Sequence, residues 1–360
     1  MGTETENRAA FRIQADYSGA MDAPITTRII LALEEAIDRD TATGRAVLDW
    51  PGEPVADAMV LRLMGGLHAL HRAGVDPALS RMFSGGPVAV DELRAMLRTH
   101  DVALLPWLAG PPQTNEAARS AGLMTGLLHL AERFGPRMEL LEIGSSAGLN
   151  LLIDRYRFDL GGVVVGPEDA RVTIRPDWRG PPPTSVPIAI RRTRGVDIAP
   201  VDLSDPAAAE RLQAYVWIDA VDRQARLAET IAMVREHGVA LDRGDAADWV
   251  EARLAEPHET GVTRVLMHSV VWQYLGSAGQ ARIRSAMHAA GERATSDRPL
   301  GWVMMEPNRD LHRHEVRIRG WPGDRPMERV ALTHAHGAWV EGLPLPYSTE
   351  DYVMRGVAPE

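Results

Sequence analysis

The chain has 360 residues, 45% of them apolar and 24% charged, which is ordinary for a globular protein with a buried core and leaves room for one large domain or a domain with a sizeable extension. Its formal charge of −10 gives no electrostatic footprint for nucleic acid. It holds no cysteine and no lysine, which excludes disulfides, thiol nucleophiles, iron–sulfur clusters, cysteine-bound zinc, Schiff-base chemistry and a P-loop lysine.

No run approaches the roughly 20 apolar residues of a membrane span. Met1 to Asp16 are polar and mixed in charge, unlike a secretory leader. The expectation is a cytoplasmic protein with a small-molecule substrate and neither membrane nor nucleic acid as partner; the oligomeric state is left open. Arg191, Arg192 and Arg194 form the densest basic cluster and read as a solvated face.

Residues 1–136 read as a helical region. Ile29, Leu33 and Ile37 lie on one helical face, Met59, Leu63 and Leu67 on a second, and Leu93, Met96 and Leu97 on a third. A fourth helix, starting near Thr114 or Asn115, carries Met124, Leu127, Leu128 and Ala131 and stops at Gly135-Pro136. From Arg137 short strands alternate with helices. The strands are Glu139–Ile143, Val186–Ile190 (running on to Gly195-Val196 in a longer reading), Ala240–Arg243, Arg264–His268 and Leu300–Met305. The helices are Ala207–Ala220, Asp222–His237, Ala246–Ala255 and Ala278–Arg293. That rhythm predicts an α/β fold over residues 137–360, a Rossmann-like, doubly wound, mostly parallel sheet. Val316–Arg319 and Val330–Thr333 suggest an antiparallel C-terminal edge. The Gly- and Pro-rich stretch at about 157–187 reads as an insertion, either covering a site or mobile.

In open parallel sheets ligands bind beyond the carboxyl ends of the strands, so the residues just after each strand carry the functional question. The first strand runs through Glu142 into Gly144-Ser145-Ser146-Ala147-Gly148 and then into new apolar periodicity. Small residues there let a ligand approach the backbone, and the N–H groups of a following helix favour an anion. The turn fits two uses: a nucleotide-type cofactor site, or a G-x-S-x-G nucleophile elbow with Ser146 as nucleophile.

Glu142-Ile143-Gly144-Ser145-Ser146-Ala147-Gly148 resembles the first motif of class I S-adenosylmethionine-dependent methyltransferases, with Ser146 in place of the central glycine. Gly195-Val196-Asp197-Ile198-Ala199-Pro200 is similar to their second-strand block, and Arg243-Gly244-Asp245-Ala246 to their third. The resemblance implies S-adenosylmethionine as cofactor, Asp197 on the ribose hydroxyls, Asp245 and Ala246 at the adenine, and Glu142, Gly144, Ser145, Ser146 and Gly148 around the methionine part. Asp177 is a rival second-strand acid if the strand is Arg171–Arg175. Over most of its length the chain also resembles an uncharacterised bacterial family, domain of unknown function 2332, through Gln113-Thr114-Asn115-Glu116, Leu141–Tyr156 and Gly195–Asp202.

Methyl transfer asks for alignment and sometimes a base. His268 is the base candidate, with Ser269, Trp272, Tyr274 and Glu306 around an acceptor pocket. Arg119, beside Gln113 and the capping residues Thr114 and Asn115, is a candidate for the cofactor's carboxylate. Each has a plainer reading: Glu142 capping backbone N–H groups, Asp197 and Asp245 forming turns, His268 bonded inside the core, Glu306 in a salt bridge. Three rival functions remain. One is a serine hydrolase with Asp245 and His268 or His334 beside Ser146. Another is metal hydrolysis through His312-x-His314 or His334-x-His336, a weak pattern without a third ligand. The last is non-catalytic binding of S-adenosylmethionine or a nucleotide. The absence of an Asp/Asn-Pro-Pro-Tyr block argues against amino-group methylation of bases or glutamine.

Overall fold

A computed structural model describes residues 3–344. Its helices are α1 (Glu4–Ala20), α2 (Pro24–Ala36), α3 (Ala42–Leu48), α4 (Met59–Arg72), α5 (Pro77–Phe83), α6 (Val90–Thr99), α7 (Asp101–Leu104), α8 (Ser120–Phe134), α9 (Pro206–Ala214), α10 (Val221–His237), α11 (Ala246–Ala255) and α12 (Gly276–Glu292). Its strands are β1 (Arg137–Ile143), β2 (Arg157–Leu160), β3 (Val163–Val165), β4 (Thr173–Ile174), β5 (Asp177–Arg179), β6 (Ala189–Asp197), β7 (Leu241–Arg243), β8 (Thr263–Ser269), β9 (Leu300–Asn308), β10 (Arg313–Trp321), β11 (Glu328–Thr333) and β12 (Trp339–Gly342). Among the described residues no helix is long and apolar enough to cross a membrane.

The chain forms two compact units, 3–114 with 204–228 and 115–203 with 229–344. The first is helical. The stripes Ile29, Leu33 and Ile37 and Met59, Leu63 and Leu67 are buried with Phe11, Ile30 and Leu97 in one core. Asp219 holds residues 204–228 to this unit, accepting hydrogen bonds from the backbone N–H of Ile25 (2.8 Å) and Thr26 (3.0 Å) at the start of α2.

The second unit is built on a nine-stranded sheet in the order β5-β12-β11-β10-β9-β8-β1-β6-β7. Pairing is parallel from β7 through β6, β1 and β8 to β9, antiparallel from β9 to β12, and parallel again between β12 and β5. The central strands read as near-continuous apolar runs because both their faces are covered. On one face lies α8, buried from Ser120 to Ala131. Gly126 permits its close approach, since a Cβ there would stand 2.6 Å from Val303 Cγ1. On the other face Leu141, Ile143, Leu266 and Trp302 pack with Val250 of α11 and Ile283 and Met287 of α12. The division at Thr114 rather than Pro136 follows from α8, which packs on β9 and β10.

Two expectations are corrected. The stretch 157–187 is not an irregular loop: β3, β2 and β4 form a small separate sheet, and β5 becomes an edge strand of the large one. The segment after the β1 turn is not an α-helix but a 3₁₀ stretch, Leu149–Arg155, interrupted by non-helical Leu152. It is too short to offer a helix macrodipole to an anion.

Candidate functional site

Glu142 ends its strand wholly buried, 1% exposed. Its Oε1 accepts a hydrogen bond from Asn150 Nδ2 at 2.8 Å, and its Oε2 has no partner among the described residues. Burial pushes this carboxyl up to about 7; the bond from Asn150 and the nearby Ser145 hydroxyl oppose the shift, Asp197 adds to it, and the Arg119 charge opposes it. The backbone then makes a turn through Gly144 (φ +68°), Ser146 (+53°) and Gly148 (+76°), all left-handed. Glycine is required at 144 for a second reason: a Cβ would meet Val271 Cγ2 at 2.3 Å.

Side chains from outside the turn hold it. Asp197, at the end of β6, accepts from the backbone N–H of Ser146 and of Ala199, each at 2.8 Å. Asn115 Oδ1 accepts from the Leu149 N–H at 3.0 Å and its Nδ2 donates to Ser145 O at 3.5 Å. So Asn115 belongs to the β1 turn; the residue capping the 3₁₀ turn before α8 is Glu116. Ser145 Oγ donates to Glu142 O at 3.2 Å, while Ser146 Oγ is buried with no partner among the described residues. Asp245 caps α11, its Oδ1 accepting from the N–H groups of Ala247 (2.9 Å) and Asp248 (3.0 Å). Ala246 opens that helix. Arg119 is buried and its Nε donates to Ala335 O at 2.9 Å.

His268 lies elsewhere. Glu142 pairs with Met267 across β1 and β8, so successive-residue alternation puts Glu142 and His268 on opposite faces of the sheet. The His268 ring is 0% exposed and bonded through Nδ1 to Glu306 Oε1 at 2.6 Å. That same oxygen accepts from the N–H groups of Val271 (3.1 Å) and Trp272 (3.3 Å). Trp272 stacks on His268 with centroids 5.1 Å apart, and Trp302 closes the cluster. Four buried atoms here have no partner among the described residues: His268 Nε2, Glu306 Oε2 and the indole nitrogens of Trp272 and Trp302. Ser269 is buried at the strand end, and the β-branched Val270 beyond it is forced to φ +55°. Tyr274, 75% exposed, takes no part in this cluster.

Asp177 sits in β5 at the far edge of the sheet, whereas Asp197 ends the parallel neighbour of β1. The basic cluster is a partly ion-paired face, with Arg192 on Glu139 and Arg194 on Asp242. Among the described residues no group of three His, Cys, Asp or Glu side chains can hold a metal ion, so the two His-x-His pairs find no third ligand. Sequence reading missed Asn150, the partner of Glu142, and Val271, the neighbour of Gly144. An amide eight residues beyond a buried acid was the available signal for the first; none existed for the second.

The chain belongs to domain of unknown function 2332, a family of uncharacterised proteins conserved in bacteria, whose model matches residues 8–341. No curated protein and no solved structure matches it.

Proposed function

We propose that this chain is an S-adenosylmethionine-dependent methyltransferase-like protein acting on a small molecule, with the cofactor over the carboxyl ends of β1, β6 and β7. The observation that carries the reading is Glu142, a buried carboxylate with one unpartnered oxygen directly before a left-handed turn. Leaving such an oxygen unsatisfied costs about 1–3 kcal/mol or more, and a cationic ligand group docked against it removes that cost. The parallel run β7-β6-β1-β8-β9, followed by antiparallel β10, supports the Rossmann-like, mostly parallel sheet with an antiparallel C-terminal edge on which this reading rests.

The residues fit the group. A carboxylate has about four acceptor sites, so Asp197 retains capacity for a ribose diol after accepting two N–H groups. Both capping bonds of Asp245 fall on Oδ1, which leaves Oδ2 for the adenine amine beside the small Ala246. Gly144, Ser145, Ser146 and Gly148 would pass under the methionine part, whose ammonium Glu142 would hold. Arg119, whose charge acts on Glu142, would face the carboxylate. When bound, S-adenosylmethionine supplies a sulfonium-activated methyl group.

His268 is the base in this reading. Glu306 accepts at Nδ1 and leaves Nε2 as the basic nitrogen. Because Trp272 covers the ring, Nε2 meets an acceptor only if the turn from Val270 to Leu275 moves. That enclosure favours a second reading with the same site, non-catalytic binding of S-adenosylmethionine or a nucleotide. The serine-elbow reading draws support from the φ of Ser146, yet its Oγ has no base in hydrogen-bond reach.

Titration calorimetry with S-adenosylmethionine and S-adenosylhomocysteine tests the proposal. Micromolar binding is expected, abolished in Glu142→Ala and weakened in Asp197→Ala. Binding of neither ligand overturns it, and labelling of Ser146 by a serine-directed phosphonate would then support the elbow.

A further inference from the structure

At the amino ends of β8 and β9, the sheet edge opposite the candidate site, lies a cavity of about 130 Å³. Three guanidiniums, Arg264, Arg293 and Arg298, and the His258 imidazole line it, with Leu254, Leu300 and Ala290 among its apolar wall, and no acidic residue lines it. In a chain of net charge −10 this is a local inversion of sign.

Arg264 is 2% exposed. Its Nε donates to Glu139 Oε2, its Nη1 to the carbonyls of Arg253 and Glu256, and its Nη2 to that of Pro257. Those are four bonds for five N–H groups, so among the described residues one Nη2 hydrogen has no acceptor. Glu139 is also shared with Arg192, so one carboxylate faces two guanidiniums. Among the described residues Arg293 bonds only the Ala289 carbonyl; Arg298 donates from Nε to the His258 carbonyl (3.2 Å) and from Nη2 to Thr260 Oγ1 (2.8 Å), and the nearest carboxylate to it, Asp297, stands 3.6 Å away. Capping of the last carbonyls of α11 and α12 accounts for the bonds to Arg253 and Ala289. It does not account for three guanidiniums and an imidazole converging on a cavity. His258 lies in the same field: burial lowers its pKa, the bond to the Val262 carbonyl opposes that, the Arg264 charge lowers it further, Glu139 raises it, and Arg298 lowers it.

We infer that this cavity is a binding site for a small aliphatic carboxylate, its oxygens on Arg264, Arg293 and Arg298 and its alkyl part on Leu254 and Leu300. The guanidinium fork matches a carboxylate bidentately. A cavity of about 150 Å³ takes benzene, so this one takes five or six heavy atoms, the size of propionate or butyrate.

The test is NMR titration of the His258 ring, assigned with His258→Gln, in the full chain with propionate, propionamide and inorganic phosphate. Saturable propionate shifts are expected, with a rise in the His258 pKa and at least tenfold weaker binding in Arg293→Ala/Arg298→Ala. Both arginines are exposed, so the double variant should keep the wild-type thermal midpoint. Propionamide should not bind. No saturation with propionate, equal response to propionamide, or unchanged affinity in the double variant overturns the inference. Saturation with phosphate alone overturns the carboxylate assignment. None of these outcomes depends on S-adenosylmethionine binding at the other edge.

Discussion

Asp197 accepts a hydrogen bond from the backbone N–H of Ser146 at 2.8 Å, tying the end of β6 to the turn that follows β1. The carboxylate therefore shapes the turn before any ligand arrives. Asp197→Asn keeps the size but removes one acceptor oxygen. It is expected to weaken S-adenosylhomocysteine binding at least tenfold while costing about 1 kcal/mol in urea unfolding. Unchanged affinity would mean that Asp197 serves the turn alone.

Glu142 gives a pH dependence of defined sign. Its folded pKa, pushed up to about 7 by burial, lies above the ordinary carboxyl value. The folded state thus binds the proton more tightly, and stability falls as pH rises from about 4.5 to 7. Glu142→Gln removes the ionisation. In urea unfolding the variant should gain on the wild type between pH 5 and pH 8, by an amount on the order of 3 kcal/mol. An equal effect at both pH values would show that the ionised form is not penalised. A cationic ligand competes with the same proton, so its affinity should drop below pH 7.

Gly144→Ala places a Cβ 2.3 Å from Val271 Cγ2 at φ +68°. Overpacking and the left-handed backbone together predict a loss of about 2–4 kcal/mol by urea unfolding. A neutral outcome would require Val271 to move freely, and with it the link between the β1 and β8 turns.

Ser146→Gly separates the two uses of the turn. The serine sits at φ +53° with its Oγ buried and unpartnered, so glycine relieves both and should stabilise by about 1 kcal/mol. S-adenosylhomocysteine binding should persist. Loss of an esterase activity in this variant would instead favour the nucleophile.

Glu306→Ala leaves His268 Nδ1 and the N–H groups of Val271 and Trp272 without their acceptor. A destabilisation of about 2–4 kcal/mol is expected, together with a changed Trp272 fluorescence environment. Absence of both would show that Glu306 does not hold the turn after β8.

The central strands were legible because burial on both faces writes them as apolar runs, as in Leu140-Leu141, Val265-Leu266-Met267 and Val303-Met304-Met305. The longer reading of β6, on to Gly195-Val196, holds at its far end, while the strand starts at Ala189 rather than Val186; it runs on to Asp197 through arginines that read as a solvated stretch and pair with Glu139 and Asp242 on neighbouring strands. The 3₁₀ stretch after the β1 turn carries apolar residues on every side, which periodicity reads as helix. Acids at strand ends could be read from local pattern. The contacts that give them their setting could not: Asn115 reaches Leu149, Asp197 reaches Ser146 and Glu306 reaches His268 only through the fold.

The most direct measurement is a crystal structure of the chain soaked with S-adenosylhomocysteine. The account predicts ligand density over Gly144–Gly148, with the ribose against Asp197, the adenine beside Asp245 and the ammonium on Glu142. Density elsewhere, or a turn left empty at saturating ligand, would contradict it.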